Sequence, residues 1–94
     1  MVNFVIKKDG ANVPFDLEKI KASIMLVALK SGLSLTARSN LTQEVLDSVF
    51  VAFSGKEEVS TFEIKEKILS VLDAIAPDVS KVWKKYDQSG KTNF

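Results

Sequence analysis

The chain opens on a short apolar run, Phe4-Val5-Ile6, that breaks at Lys7-Lys8-Asp9-Gly10. A β-branched and aromatic run followed by Asp-Gly predicts a strand and a hairpin reversal, because glycine takes a positive φ without steric cost. The return arm is Ala11–Phe15. Pro14 has no amide to donate, so this arm is expected to be a short edge strand. From Leu17 the period becomes helical, with Leu17, Ile20, Ile24 and Val27 on one face. Asp16 is placed to accept from the free amides of the first turn, Lys30 suits the negative end of the helix dipole and Gly32 supplies a stop. The pattern predicts a helix over 17–30.

A second helix is expected from Leu41, Val45, Leu46, Val49, Phe50 and Phe53, with residues Thr36 to Asn40 offering caps and Gly55 following it. Its apolar stripe is wide enough to pack on two neighbours. Lys56-Glu57-Glu58-Val59 reads either as a loop or as a short third strand beside the hairpin. Ser60-Thr61-Phe62-Glu63 has the spacing of a capping box. It opens a third helix built on Ile64, Ile68, Val71, Leu72 and Ile75. Ala76-Pro77 breaks that helix, and proline suits the first position of a fourth, lined by Val79, Val82, Trp83 and Tyr86. Strand then helices, without β-α-β alternation, predicts an α+β fold: a small N-terminal β element followed by four helices. The polar, glycine-containing residues after 87 are expected to fray as a tail over 88–94.

At 94 residues the chain has room for one domain, and 46% apolar content is enough for a core. It contains neither Cys nor His. That removes disulfides, thiolate zinc sites, Cys nucleophiles and Ser-His catalysis. Thirteen basic residues balance twelve acidic ones, so no global field favours DNA or an anionic membrane. The longest apolar run, Ile24–Leu29, is too short to span a bilayer, and the N-terminus lacks the apolar core of a signal peptide. These features predict a cytoplasmic protein with no membrane partner and no direct nucleic-acid partner.

Four groups of residues could carry chemistry. Ser89-Gly90-Lys91-Thr92 are the closing letters of a phosphate-binding loop, but position 85 is Lys where that motif needs Gly, and a helix precedes where it needs a strand. Lys7, Lys8 and Lys19 are brought toward one another if the hairpin returns the chain to the start of the first helix. Ammonium groups beside a helix N-terminus favour phosphate, although lysines near a turn are also commonly just solvated. Thr61 and Lys65 lie one turn apart at the start of the third helix, where Thr61 can either donate to an anion or simply cap. Trp83 and Tyr86 share a helical face and read first as core packing.

The segment Val5-Ile6-Lys7-Lys8-Asp9-Gly10, followed by Pro14-Phe15-Asp16-Leu17-Glu18-Lys19-Ile20, resembles the opening signature of the ATP-cone family, V-x-K-R-D-G-x-x-E-P-F-D-x-x-K-I. Val59-Ser60-Thr61-Phe62-Glu63-Ile64 resembles its second signature, V-S-T-x-E-I, and Val79 to Tyr86 resembles its final helix. The resemblance covers residues 3 to 87 and marks 1–87 as one cone-like domain. It implies a β-hairpin or small three-stranded sheet capping a four-helix bundle. It also implies a regulatory module, not itself an enzyme, that binds ATP or dATP, with or without Mg2+, and does not hydrolyse it. Such modules serve as allosteric nucleotide sensors of ribonucleotide reductase or of the regulation of its genes. A reductase catalytic domain or a second copy of the module are the partners implied.

Carried over by position, Lys7, Lys8 and Lys19 would contact phosphates, and Thr61 and Lys65 would add phosphate or sugar contacts. Val5, Ile20 and Ile64 would line the base pocket, with Ile6 counted among the nucleotide-binding residues and Asp16 near the base or sugar. Three positions depart from the family pattern. Lys8 stands where Arg is common and lacks the planar fork. Val13 stands where a Glu helps to recognise the adenine amino group. The basic residue near the end of the last helix has three candidates, Lys84, Lys85 and Lys91. The loss of the Glu keeps an alternative open, a degenerate cone that serves only in protein–protein contacts.

Overall fold

The computed structural model describes residues 4–7 and 9–90 of the chain. Strands β1 (Phe4–Ile6) and β2 (Asn12–Pro14) pair antiparallel, with Phe4 opposite Pro14 and Ile6 opposite Asn12. The reversal is closed by Lys7 N–H donating to Ala11 C=O and Gly10 N–H donating to Lys7 C=O, both at 2.8 Å. Gly10 sits at φ +87°, a left-handed value that a side chain would disfavour. The Asp9 carboxylate accepts from Ala11 N–H at 3.0 Å.

The segment after the second helix forms a strand rather than a loop. β3 (Glu58–Ser60) runs parallel to β1 on the side away from β2, giving the order β2-β1-β3 with the proline strand at the edge. Val13, Val5 and Val59 stand opposite one another across the three strands. Because side chains alternate along a strand, this row shares one face, and it packs on the helices: Val5 and Val59 are buried and Val13 is half-buried.

The helices are α1 (Leu17–Lys30), α2 (Leu35–Ala52), α3 (Thr61–Ile75) and α4 (Pro77–Gln88). Two start as their caps predict. Asp16 Oδ1 accepts from Glu18 N–H at 3.0 Å and Lys19 N–H at 3.4 Å, and Ser60 Oγ accepts from Glu63 N–H at 3.0 Å. α2 starts earlier than expected. Its cap is Ser34, whose Oγ accepts from Ala37 N–H at 3.2 Å, so Thr36 to Asn40 lie inside the helix. Ser34 follows the left-handed Gly32 in extended backbone, which is where a cap residue belongs.

Each helix packs on its chain neighbours and α4 returns to α1, which closes the bundle. The core is Ile20, Ile24 and Val27 of α1; Leu41, Val45 and Val49 of α2; Ile64, Ile68 and Leu72 of α3; and Val79 and Trp83 of α4, with Val5 and Val59 from the sheet. α2 lies against both α1 and α3, as its wide stripe predicts. Phe50, expected on that stripe, is 58% exposed: it lies about 100° round the helix from Val49, off the buried line. Ile75, in the last turn of α3, is also exposed. α4 continues to Gln88, and Gly90 N–H donates to Asp87 C=O at 3.0 Å, so the first residues of the expected tail finish the helix. Lys91 and Thr92 of the phosphate-loop-like letters lie outside the described residues, and Ser89 and Gly90 follow a helix, not the strand that such a loop requires. Among the described residues no helix is long and apolar enough to cross a membrane.

Candidate functional site

Two neighbouring cavities open where the sheet meets the starts of α1 and α3. The first has a volume of about 350 Å³ and is lined by Val5, Lys7, Val13, Pro14, Asp16, Lys19, Ile20 and Ile64. Strand alternation explains the β1 contribution: Val5 faces the bundle, and Lys7, two residues on, follows it to the same side. On α1, Asp16, Lys19 and Ile20 fall at i, i+3 and i+4, one helical face.

The second cavity has a volume of about 410 Å³ and is lined by Ile6, Lys7, Ser60, Thr61, Phe62, Lys65 and Asp87. Its construction depends on the parallel pairing of β1 and β3. Ile6 stands opposite Ser60, so the end of β1 meets the start of α3. Thr61 and Lys65 then sit one turn apart beside Lys7. Thr61 Oγ1 is buried with no hydrogen-bond partner among the described residues. Lys65 Nζ lies 2.8 Å from Asp87 Oδ1, an ion pair between α3 and the end of α4.

Lys7 lines both cavities. The first offers an apolar wall of Val5, Val13, Pro14, Ile20 and Ile64 with a carboxylate and two ammonium groups at its rim. The second sets two ammonium groups, two hydroxyls and one carboxylate beside Ile6 and Phe62. Each is within the size range of small-molecule pockets. Asp16 spends Oδ1 on the helix cap; a carboxylate has acceptor capacity for more than those two bonds. Among the described residues no group of three or more His, Cys, Asp or Glu could hold a metal ion. Together the two cavities set three ammonium groups and two carboxylates around aliphatic walls.

The residues singled out from sequence divide between the two cavities. Val5, Asp16, Lys19, Ile20 and Ile64 line the first, Ile6, Thr61 and Lys65 line the second, and Lys7 belongs to both. Lys8 lies outside the described residues. Pro14, Ser60, Phe62 and Asp87 were not singled out. Of these, Pro14, Ser60 and Phe62 fall within the two signatures and Asp87 carries no sequence signal; Phe62 is 71% exposed. The α4 residue that reaches a cavity is the carboxylate Asp87, whereas Lys84 pairs with Asp73 at 3.9 Å. Trp83 is buried in the core and Tyr86 is half-buried against it, so this pair reads as packing.

The family model of the ATP cone domain matches residues 3–87. The chain belongs to the ATP-cone family. Among similar proteins, the transcriptional repressor NrdR of Treponema denticola is 34% identical over 71 residues, covering 76% of the cone and 47% of the repressor. The transcriptional repressor NrdR of Leptothrix cholodnii is 35% identical over 68 residues, covering 72% of the cone and 45% of the repressor. The chain thus spans about half the length of the curated relatives it matches. These relatives overturn the expectation of no direct nucleic-acid partner, since repression of transcription is exercised at DNA. Net charge is the wrong measure here: +1 over a cone domain does not describe the repressors it resembles, about half of whose length it matches.

Proposed function

We propose that this ATP cone is a regulatory nucleotide sensor that binds ATP or dATP without hydrolysing it, in the control of ribonucleotide reductase or of its genes. The observation that carries the reading is the position of Lys7, shared by a cavity with an aliphatic wall fit for a base and one where Lys65, Ser60 and Thr61 offer donors to phosphates. The base lies against Val5, Val13, Ile20 and Ile64, with Asp16 at its polar edge. Lys7 and Lys19 meet the phosphates, and Thr61 and Lys65 extend the anion path. Mg2+, where it is present, arrives with the phosphates, which supply the oxygen ligands it prefers. Similarity to two transcriptional repressors supports the regulatory setting.

Calorimetric titration of ATP, dATP, GTP and ADP into the purified chain with Mg2+ tests the proposal. Saturable ATP or dATP binding, weakening as salt is raised, with no phosphate released, is the expected result. Absence of binding for all four at millimolar concentration favours the alternative, a cone that serves only in protein contacts. Val13 is the observation on that side, because it lines the base cavity where the family pattern has a Glu.

Val13 also makes a prediction about selectivity. An apolar wall discriminates weakly between purines, whereas a carboxylate accepts from the adenine amino group and repels the guanine carbonyl. The expected preference for ATP over GTP is modest, about tenfold or 1.4 kcal/mol, and Val13→Glu is expected to sharpen it. Affinities for both nucleotides, with a melting curve for each protein, check this. An unchanged ratio in a folded variant removes the recognition role from this position.

A further inference from the structure

The second cavity contains its own anion. Asp87, in the last turn of α4, lines it together with Lys7, Thr61 and Lys65, and its Oδ1 lies 2.8 Å from Lys65 Nζ. The two side chains are 27% and 34% exposed, so the pair is partly withdrawn from water. The other pairs differ. Lys56–Glu63 and Lys84–Asp73 are longer, at 3.4 and 3.9 Å, about half exposed, and neither lines this cavity. Lys65 is one of Asp87's partners, and both line this cavity. Beside the pair, Thr61 Oγ1 is buried and lacks a partner among the described residues.

We propose that Asp87 is an intramolecular competitor for the anionic ligand of this site. Its carboxylate holds the Lys65 ammonium until a polyphosphate displaces it, which lowers the affinity of the site and ties its occupancy to the last turn of α4. The proposal rests on the reading that these cavities take a nucleoside triphosphate. The physical basis is local. One carboxylate charge in the cavity cancels one cation and repels an incoming phosphate. A lysine ammonium on a flexible stem can exchange a carboxylate for a phosphate oxygen without moving the backbone. A phosphate oxygen reaching Lys65 also gives Thr61 the acceptor it lacks. A ligand with more negative charge competes better, so Asp87 raises the charge threshold for binding.

The test is calorimetric titration of ATP and of dATP into four forms of the full chain: wild type, Asp87→Asn, Lys65→Met and the double variant, each with a melting curve. Asp87→Asn is expected to tighten ATP binding roughly three- to tenfold. The gain is expected to vanish in the Lys65→Met background. ATP affinity that is unchanged or weaker in folded Asp87→Asn overturns the competition, and Asp87→Ser replaces that variant if it melts early. A gain of the same size without Lys65 also overturns it, because that outcome is general repulsion rather than competition for one cation. If neither wild type nor Asp87→Asn binds ATP or dATP, the nucleotide reading fails and this proposal with it. Binding by Asp87→Asn alone supports both.

Discussion

Replacing Lys7 with alanine is expected to weaken ATP binding by about tenfold to a hundredfold, the loss of a charge-assisted contact worth roughly 1.5–3 kcal/mol. Lys7 is singled out because it lines both cavities, and the proposed function puts the base in one and the phosphates in the other. The backbone there is set by the hairpin. Lys7 N–H and C=O are both spent on closing the turn, at 2.8 Å each, so the side chain leaves from a constrained point. That constraint reduces the entropy lost when the ligand is clamped. Lys21, exposed on α1 and absent from either cavity lining, is the control; Lys21→Ala is expected to change affinity less than about twofold, within the range of screened surface charge. Titrations of both variants at two salt concentrations separate a direct contact from a general field. A loss at Lys7 no larger than at Lys21 would place the ligand elsewhere.

Trp83→Ala is expected to carry the largest effect on stability. Trp83 is 1% exposed and joins α4 to the core, where only Val79 and Ser80 of that helix are also buried. A helix of 12 residues is too short to persist without tertiary packing. Truncating a buried tryptophan costs about 3–5 kcal/mol, a large part of the roughly 5–15 kcal/mol that holds a domain together. For a domain of this size that is a fall in Tm on the order of 15–30 °C. Phe50→Ala, on the exposed side of α2, is expected to cost under about 1 kcal/mol. Thermal melts of the two variants beside wild type give the comparison, and Trp83→Phe keeps a folded protein in the series if alanine abolishes folding. A loss below 1 kcal/mol at Trp83 would contradict the packing described.

Local chemistry was legible in the sequence. Asp16 and Ser60 announce helix starts because a side-chain oxygen at a cap satisfies amides that have no other partner, and both do so. Gly10 announces the hairpin and Pro14 the sheet edge, each through its own backbone geometry. The two ATP-cone signatures lie in the same short segments. The start of α2 was less legible, because Ser34 competes with several other capping residues just after it and only the path of the chain after Gly32 chooses between them.

What tertiary structure decided is which local features meet. Glu57-Glu58-Val59 has no strand period of its own, and it becomes β3 because β1 offers it an open edge and the core offers Val59 a place. The parallel register that follows, Ile6 opposite Ser60, sets Lys7 beside Thr61 and Lys65 and so creates the second cavity. Asp87 enters that cavity only because α4 folds back along α3, which brings the end of one helix to the start of the other. Periodicity reports which face of an element is buried, a property of neighbouring residues. The meeting of Lys7, Lys65 and Asp87 depends on contacts between residues far apart in the chain, and no local pattern encodes it.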